Sequence, residues 1–191
     1  MRYSATHKEE TRQKLLESSG AIAKRGGFSS TGVDGLMKAI GLTGGAFYSH
    51  FPSKNDLFTA IVQRELSQSL IGHVARGDGF SRDKLERCLA RYLSMAHLQN
   101  PDTGCAIPAL GAEIARADIS VREEAEHWML QLQRAWADIL EDGELAWALL
   151  SQCVGALVVA RMLAREETQA EVLDASRGFL SQVLGQRLSE K

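Results

Sequence analysis

A chain of 191 residues, 45% hydrophobic and 24% charged, has material for one or two cored domains and excludes a disordered polypeptide. Its net charge of −2 argues against a nucleic-acid partner, yet residues 1–54 carry eight Lys and Arg against four acids, a net of +4 that leaves −6 for the remainder. A basic module on an acidic body is either an electrostatic footprint or a chance fluctuation, and charge alone divides evenly between them.

Three cysteines (Cys88, Cys105 and Cys153) without a CxxC or a Cys/His cluster exclude a disulfide framework and a zinc site, so no metal or other cofactor is expected. The N-terminus has no apolar core of an export signal, which predicts reduced thiols in a cytoplasm. Only three prolines, among many Ala, Leu, Glu, Gln and Arg, favour helix throughout.

The first predicted helix covers about 7–25, with Leu15, Leu16 and Ile22 inward, and breaks at Gly26-Gly27. A second, 32–40, is capped by Thr31 and turns Val33, Leu36, Met37 and Ile40 inward. Gly41 supplies a turn whose left-handed backbone is cheap only for glycine. Leu42 plugs the space between the helices. Thr43 caps a third helix, 44–50, that Phe47 and Phe51 anchor to the core. Two short helices about a glycine turn form a helix-turn-helix, whose second helix enters the major groove of DNA.

Gly44, Gly45, Ala46, Tyr48 and Ser49 then face outward. The first three let backbone press close to a duplex. Tyr48 offers a hydroxyl for phosphate and a ring for a thymine methyl. His50 and Lys54 add phosphate donors, with a solvated side chain as the alternative for each. A lysine at a helix start opposes the helix dipole, which a phosphate partner would explain. Arg2, Lys8 and Arg12 form either a basic arm or a frayed terminus.

The fourth helix, 54–75, opens on a reciprocal cap, Ser53 to Asp56. The fifth, 82–98, starts after Ser81 with the stripe Leu85, Cys88, Leu89, Tyr92, Leu93 and Ala96. Helices 105–117, 120–140 (cap Ser120 to Glu123), 143–165 (cap Asp142) and 169–187 (cap Thr168 to Glu171) complete nine. Residues 145–164 are apolar enough to suggest a membrane span. Ser151, Gln152 and Arg161 interrupt them, and a helix buried between protein layers is expected instead. The expected architecture is all-α, with a three-helix helix-turn-helix domain at 1–52 and a bundle of about six helices at 53–191.

Gly27-Phe28, Thr31, Leu36, Gly41-Leu42-Thr43, Gly45-Ala46-Phe47-Tyr48, His50-Phe51, Ser53-Lys54 and Leu57-Phe58 together resemble the N-terminal domain of the TetR family of bacterial transcriptional regulators. The resemblance covers roughly residues 10–60. It implies a homodimer on a palindromic double-stranded operator, released when a small effector enters the C-terminal half. Two residues depart from the family pattern. Gly44 stands where Lys is frequent, so specificity leans on Thr43, Tyr48, Ser49 and DNA shape. Gly20 stands where a larger apolar residue is usual, at about 1 kcal/mol relative to Ala.

Tyr92, Met95, His97, Cys105, Trp128, Met129, Leu132 and Trp136 lie on the helices that enclose the family's effector pocket, plain core packing being the alternative for each. Their composition predicts an apolar or aromatic effector. Cys105 follows Gly104 at a helix start, where aligned amides would lower its thiol pKa. That permits an oxidant- or electrophile-sensing repressor, against the bland reading of an inert small residue. Leu149, Leu150, Cys153, Ala156, Leu157, Ala160 and Leu163, with Phe179, Leu180, Val183 and Leu184, form the expected dimer seam, shared with intrachain core. Gly155 and Ala156 would let two helices approach closely. Five scattered histidines offer no catalytic constellation, so an enzyme is not expected. A non-specific architectural DNA protein leaves the acidic, Trp-bearing body unexplained.

Overall fold

The computed structural model describes residues 5–69 and 82–189, and every regular element among them is helical. In chain order they are α1 (Ala5–Gly26), α2 (Val33–Ala39), a 3₁₀ segment (Gly44–Ser49), α3 (Lys54–Ser67), α4 (Arg82–Tyr92) and α5 (Met95–Gln99). There follow α6 (Ile107–Arg116), α7 (Ile119–Leu140), α8 (Gly143–Met162) and α9 (Glu166–Ser189).

The start and stop signals read from sequence coincide with the structure where their chemistry is local. Gly41 has φ +76°. Ser53 Oγ accepts the Asp56 amide at 3.1 Å, and Asp142 accepts that of Leu145 at 2.9 Å. Elsewhere the structure corrects the sequence reading. Thr31 caps nothing, because Gly32 holds the N-cap position of α2. Thr43 precedes the 3₁₀ segment without a side-chain bond to it. Ser120 lies inside α7, where its Oγ accepts from Asn55 at 3.2 Å, and Thr168 lies inside α9. The expected helix 82–98 breaks after Tyr92, and Ser94 caps the restart by accepting the His97 amide at 3.2 Å. The expected helix 54–75 ends at Ser67; its last residues, with Ser81 and the glycines at 77 and 79, lie outside the described residues.

Two apolar clusters organise the chain. The first joins α1, α2 and the 3₁₀ segment (the head) to α3, and adds Ala106, Leu110, Val121 and Ala125. Phe28 stacks on Phe58 with ring centres 4.4 Å apart, and Leu15, Leu36, Met37, Phe47, Leu57 and Ile61 are sealed. The second joins α4, α5 and α8 to the far half of α7 and to α9, around Tyr92, Trp136 and Leu157 (the body). Each fully buried side chain of this size stabilises the fold by about 1.5–3 kcal/mol. The 22-residue α7, about 33 Å long, contributes Val121 and Ala125 to one cluster and Leu132 and Trp136 to the other. The first cluster therefore runs past residue 52, where the sequence reading divides the domains.

Polar fasteners reinforce that beam. The Glu113 carboxylate of α6 accepts the amides of Phe28 and Ser29 at 2.9 and 2.8 Å and the Ser29 hydroxyl at 2.7 Å. Burial pushes the Glu113 carboxyl up. The Ser29 hydroxyl, the two amides and nearby Arg116 outweigh that and hold it below its ordinary value. Gly27 makes room for this clamp: its φ is +88°, and a Cβ there would lie 2.7 Å from Glu113 Oε1. Lys24 Nζ donates to Glu65 Oε2 at 2.6 Å and to the Gly104 carbonyl at 3.3 Å, and Arg25 pairs with Asp102.

Helix α8 is long and apolar enough to cross a membrane. Seven of its residues, from Ala146 to Ala160, are nevertheless buried in the second cluster.

Candidate nucleic-acid interface

The recognition segment is 3₁₀ rather than α. Two glycines weaken a helix, and the Ala46 amide bonds back only three residues, to the Thr43 carbonyl at 3.0 Å. Phe47 fixes it to the head, fully buried and packed against Phe51 with ring centres 6.1 Å apart. Its neighbour Tyr48 is 67% exposed and meets the Phe47 ring edge-on at 5.3 Å. One residue anchors; the next projects.

Around Tyr48 the outward surface is small. Thr43, Gly45 and Ser49 are exposed, Gly44 and Ala46 half-buried. The Ser49 hydroxyl donates to the Ala46 carbonyl at 2.7 Å, which leaves its oxygen as an acceptor only. Leu42 is 37% exposed and plugs nothing; Leu36, Met37 and Phe47 close that space without it. Thr31 is half-buried beside Gly35.

Of the two expected phosphate donors, one is engaged within the chain and the other has a ring nitrogen sealed from solvent. Lys54 lies 4.7 Å over the Phe28 ring and donates to the Ser29 carbonyl at 3.4 Å, so its place at a helix start needs no phosphate to explain it. His50 is half-buried with Nδ1 sealed and unpartnered. Burial, and then the charges of Lys8 and Arg12, lower its pKa and keep the ring neutral. The same two cations settle part of the question about the terminus. Lys8 and Arg12 sit on an ordered α1, and Arg12 lies 4.8 Å over the Phe51 ring, beside the recognition segment; Arg2 lies outside the described residues.

Asp34 escaped the sequence reading. Its carboxylate lies over Gly44, where any Cβ would collide with it. Gly20 is its counterpart inside the molecule: a Cβ there would lie 2.8 Å from Glu65 Oε1. Each departure from the family pattern thus accommodates an acid. The pairs (Asp34 with Gly44, Glu65 with Gly20) are far apart in sequence, so no local pattern announces them.

The residues expected to line an effector pocket do not converge. Tyr92, Trp136, Leu132 and Cys105 are buried in the second cluster, with Met95 packed against it. Trp128 leans on the first cluster and donates Nε1 to Glu124 at 2.8 Å; Met129 is half-buried. Only His97 and Cys105 reach a cleft, one of about 730 Å³ between head and body, and most of the residues that line it are polar or charged types. His97 donates Nδ1–H to the Tyr92 carbonyl at 2.6 Å, while its Nε2 accepts the Cys105 amide at 2.9 Å. That arrangement fits the neutral ring only. Burial lowers the His97 pKa, with Arg161 and Lys24 adding to the shift against the pull of the Tyr92 carbonyl. Cys105 is sealed ahead of α6, and burial pushes its thiol up, which agrees with the inert small residue rather than the amide-activated thiol of the two sequence alternatives.

Most of the expected dimer seam is taken up by the chain's own core. Leu149, Leu150, Cys153, Ala156, Leu157, Ala160, Leu180 and Leu184 are all buried within the chain's own second cluster, and Leu163 and Val183 are half-buried. A helix apolar on every side carries no signal of which side its own chain will cover. The apolar side chains that α8 leaves exposed are Trp147, Val158, Val159 and Met162, and on α9 Phe179, itself one of the expected seam residues, is 52% exposed.

Residues 15–61 match the family described as bacterial regulatory proteins, tetR family. The HTH-type transcriptional regulator AcrR of Shigella flexneri is 44% identical over 66 residues, 35% of this chain and 30% of that protein; the match spans less than a third of its length. The HTH-type transcriptional repressor NemR of Escherichia coli K12 is 24% identical over 137 residues, 70% of this chain and 69% of that one. A TetR transcriptional regulator from Legionella pneumophila shares the fold with a TM-score of 0.72 at 19% identity, over 96% of this chain and 99% of its own.

Proposed function

We propose that this chain, which by its N-terminal domain belongs to the TetR family of bacterial regulatory proteins, is a cytoplasmic homodimeric repressor of a palindromic operator, released by a small effector. The observation that carries the DNA half is the adjacency of buried Phe47 and projecting Tyr48 on a glycine-lined segment. Small residues let the backbone approach the groove floor, and Tyr48 is the one large side chain on that surface with a polar tip. Lys8 and Arg12 supply charge for the phosphates on either side, in keeping with the net +4 of residues 1–54.

A single head would cover too few base pairs for useful specificity. Pairing through the outward face of α8 and α9 would set two heads on half-sites one turn of duplex apart, about 34–36 Å. Desolvating Trp147, Val158, Val159, Met162 and Phe179 is the driving force available to that contact. The sealed, pKa-raised Cys105 favours no second reading as a thiol sensor.

The test is binding to a fragment from upstream of the chain's own coding sequence, against scrambled DNA at one salt concentration. A specific regulator prefers the former by about a thousandfold or more, whereas an architectural protein binds both alike. Tyr48→Ala should lower operator affinity at least about tenfold and leave the circular dichroism spectrum and dimer unchanged. Equal affinity in that variant removes Tyr48 from the interface.

A further inference from the structure

The cleft between head and body has α1 and α3 on one side, and α4, α5 and the loop after α5 on the other. At about 730 Å³ it has room for a small molecule. Its buried acceptors are engaged, while Glu17, which also lines it, is 74% exposed with Arg64 at 3.9 Å. The Glu65 carboxylate takes the Lys24 ammonium at 2.6 Å and Arg64 Nη1 at 3.5 Å, Asp102 takes Arg25, the Gly104 carbonyl takes Lys24, and His97 Nε2 takes the Cys105 amide. Its donors are not. Lys24, whose side chain is only 6% exposed, has three N–H bonds and two partners. Ser94 accepts from the His97 amide and keeps its own hydroxyl proton to give. Arg91 lines the cleft with no ion-pair partner among the described residues.

Spare donors on Lys24 and Ser94 beside the exposed Arg91 guanidinium, which has no ion-pair partner among the described residues, suit an acceptor-rich anion. We propose that this cleft binds a small carboxylate- or phosphate-bearing molecule, its anionic group on Arg91 and its other acceptors on Ser94 and the third N–H of Lys24. We further propose that this molecule is the effector, an assignment that rests on the regulator reading above. Arg91 and Ser94 belong to the body and Lys24 to α1, so one ligand grips both. A ligand bridging Lys24 to Arg91 and Ser94 draws α1 toward the body beside the Lys24–Gly104 bond, and so resets the angle at which the head is held. The ligand acts to the extent that it binds the reset arrangement more tightly.

Calorimetric titration of the full chain without DNA, with inorganic phosphate in one arm and succinate in the other, reads the site directly. Saturable binding of either, one per chain, with at least a tenfold loss in Arg91→Gln, is the expected result, and the arm that responds names the anion. No saturation in either arm overturns the proposal. So does undiminished binding in Arg91→Gln, which would put the anion elsewhere, the DNA-facing surface included. At constant ionic strength the same anion should weaken operator binding by wild type and not by Arg91→Gln; binding to the cleft without that effect overturns the effector assignment. Failure of the wild-type chain to bind an operator at all would count against the regulator reading, while the calorimetry still decides the cleft.

Discussion

Around the recognition segment the head shows solvent glycine, alanine and serine about a single tyrosine, whereas the body turns Trp147, Val158, Val159, Met162 and Phe179 outward from α8 and α9. Both surfaces cover sealed apolar clusters, so under the proposed function the difference lies in what each surface would meet. A duplex groove rewards close backbone approach and polar tips, and any bulky apolar group would hold it off. A second helical layer rewards desolvated area, and small residues there contribute little. An exposed surface is legible only against the partner it is built for.

The contrast between anchor and probe in the head should give the largest stability effect. Phe47→Ala empties a fully buried site and should cost about 3–5 kcal/mol in urea unfolding, while Tyr48→Ala stays within about 0.5 kcal/mol. Similar losses in both would erase the distinction between them. In the body, Met162→Glu places a charge on a residue 79% exposed. It should leave the protomer folded and weaken self-association about a hundredfold, about 2.7 kcal/mol, in sedimentation equilibrium. A variant as dimeric as the wild type would move the seam off this face.

Glu113 tests how firmly the two regions are joined. Glu113→Ala should cost about 1–3 kcal/mol, since it orphans the amides of Phe28 and Ser29. The folded carboxyl titrates below its ordinary 4.5, so its contribution is complete above that pH and disappears as pH falls through the lower folded value. The variant should lose that part of the acid limb. His97 gives the smallest effect and the higher window. Its folded pKa lies below 6.5, the unfolded chain therefore binds more protons beneath that pH, and stability declines as pH falls through the folded value. Thermal melts of His97→Gln should be flatter over the same range; an unchanged slope would relocate the titration to another group.

What the sequence disclosed follows from the range of the forces involved. The Gly41 turn and the Ser53 and Asp142 caps depend on neighbours within four residues, and they stand where the sequence put them. Tyr48 was legible because the buried residue next to it fixes its direction. Ser120 carries the right residue for a cap, but Asn55, 65 positions earlier, uses its oxygen. Ser94 offers only His97 three positions on, not the acid of a familiar box, so nothing in the sequence marks the break after α4. The outward side of α8 was illegible because its pattern is apolar throughout, and the elements packed on it, chiefly α7 and α9, decide which side is covered. Cys105 was read from a helix start that supplies amides, whereas the burial that sets its chemistry comes from elements distant in sequence.

The Glu113 clamp bears on how such proteins can be recombined. Its acid comes from α6, yet the amides it quenches belong to the loop after α1. A fragment cut anywhere before residue 107 would leave those amides bare, and would also strip Leu110, Val121 and Ala125 from the cluster that includes Leu57 and Ile61. A chimaera that moves this head onto a foreign body therefore needs α6 and the opening of α7 to travel with it, or a host carboxylate already standing in the same spot.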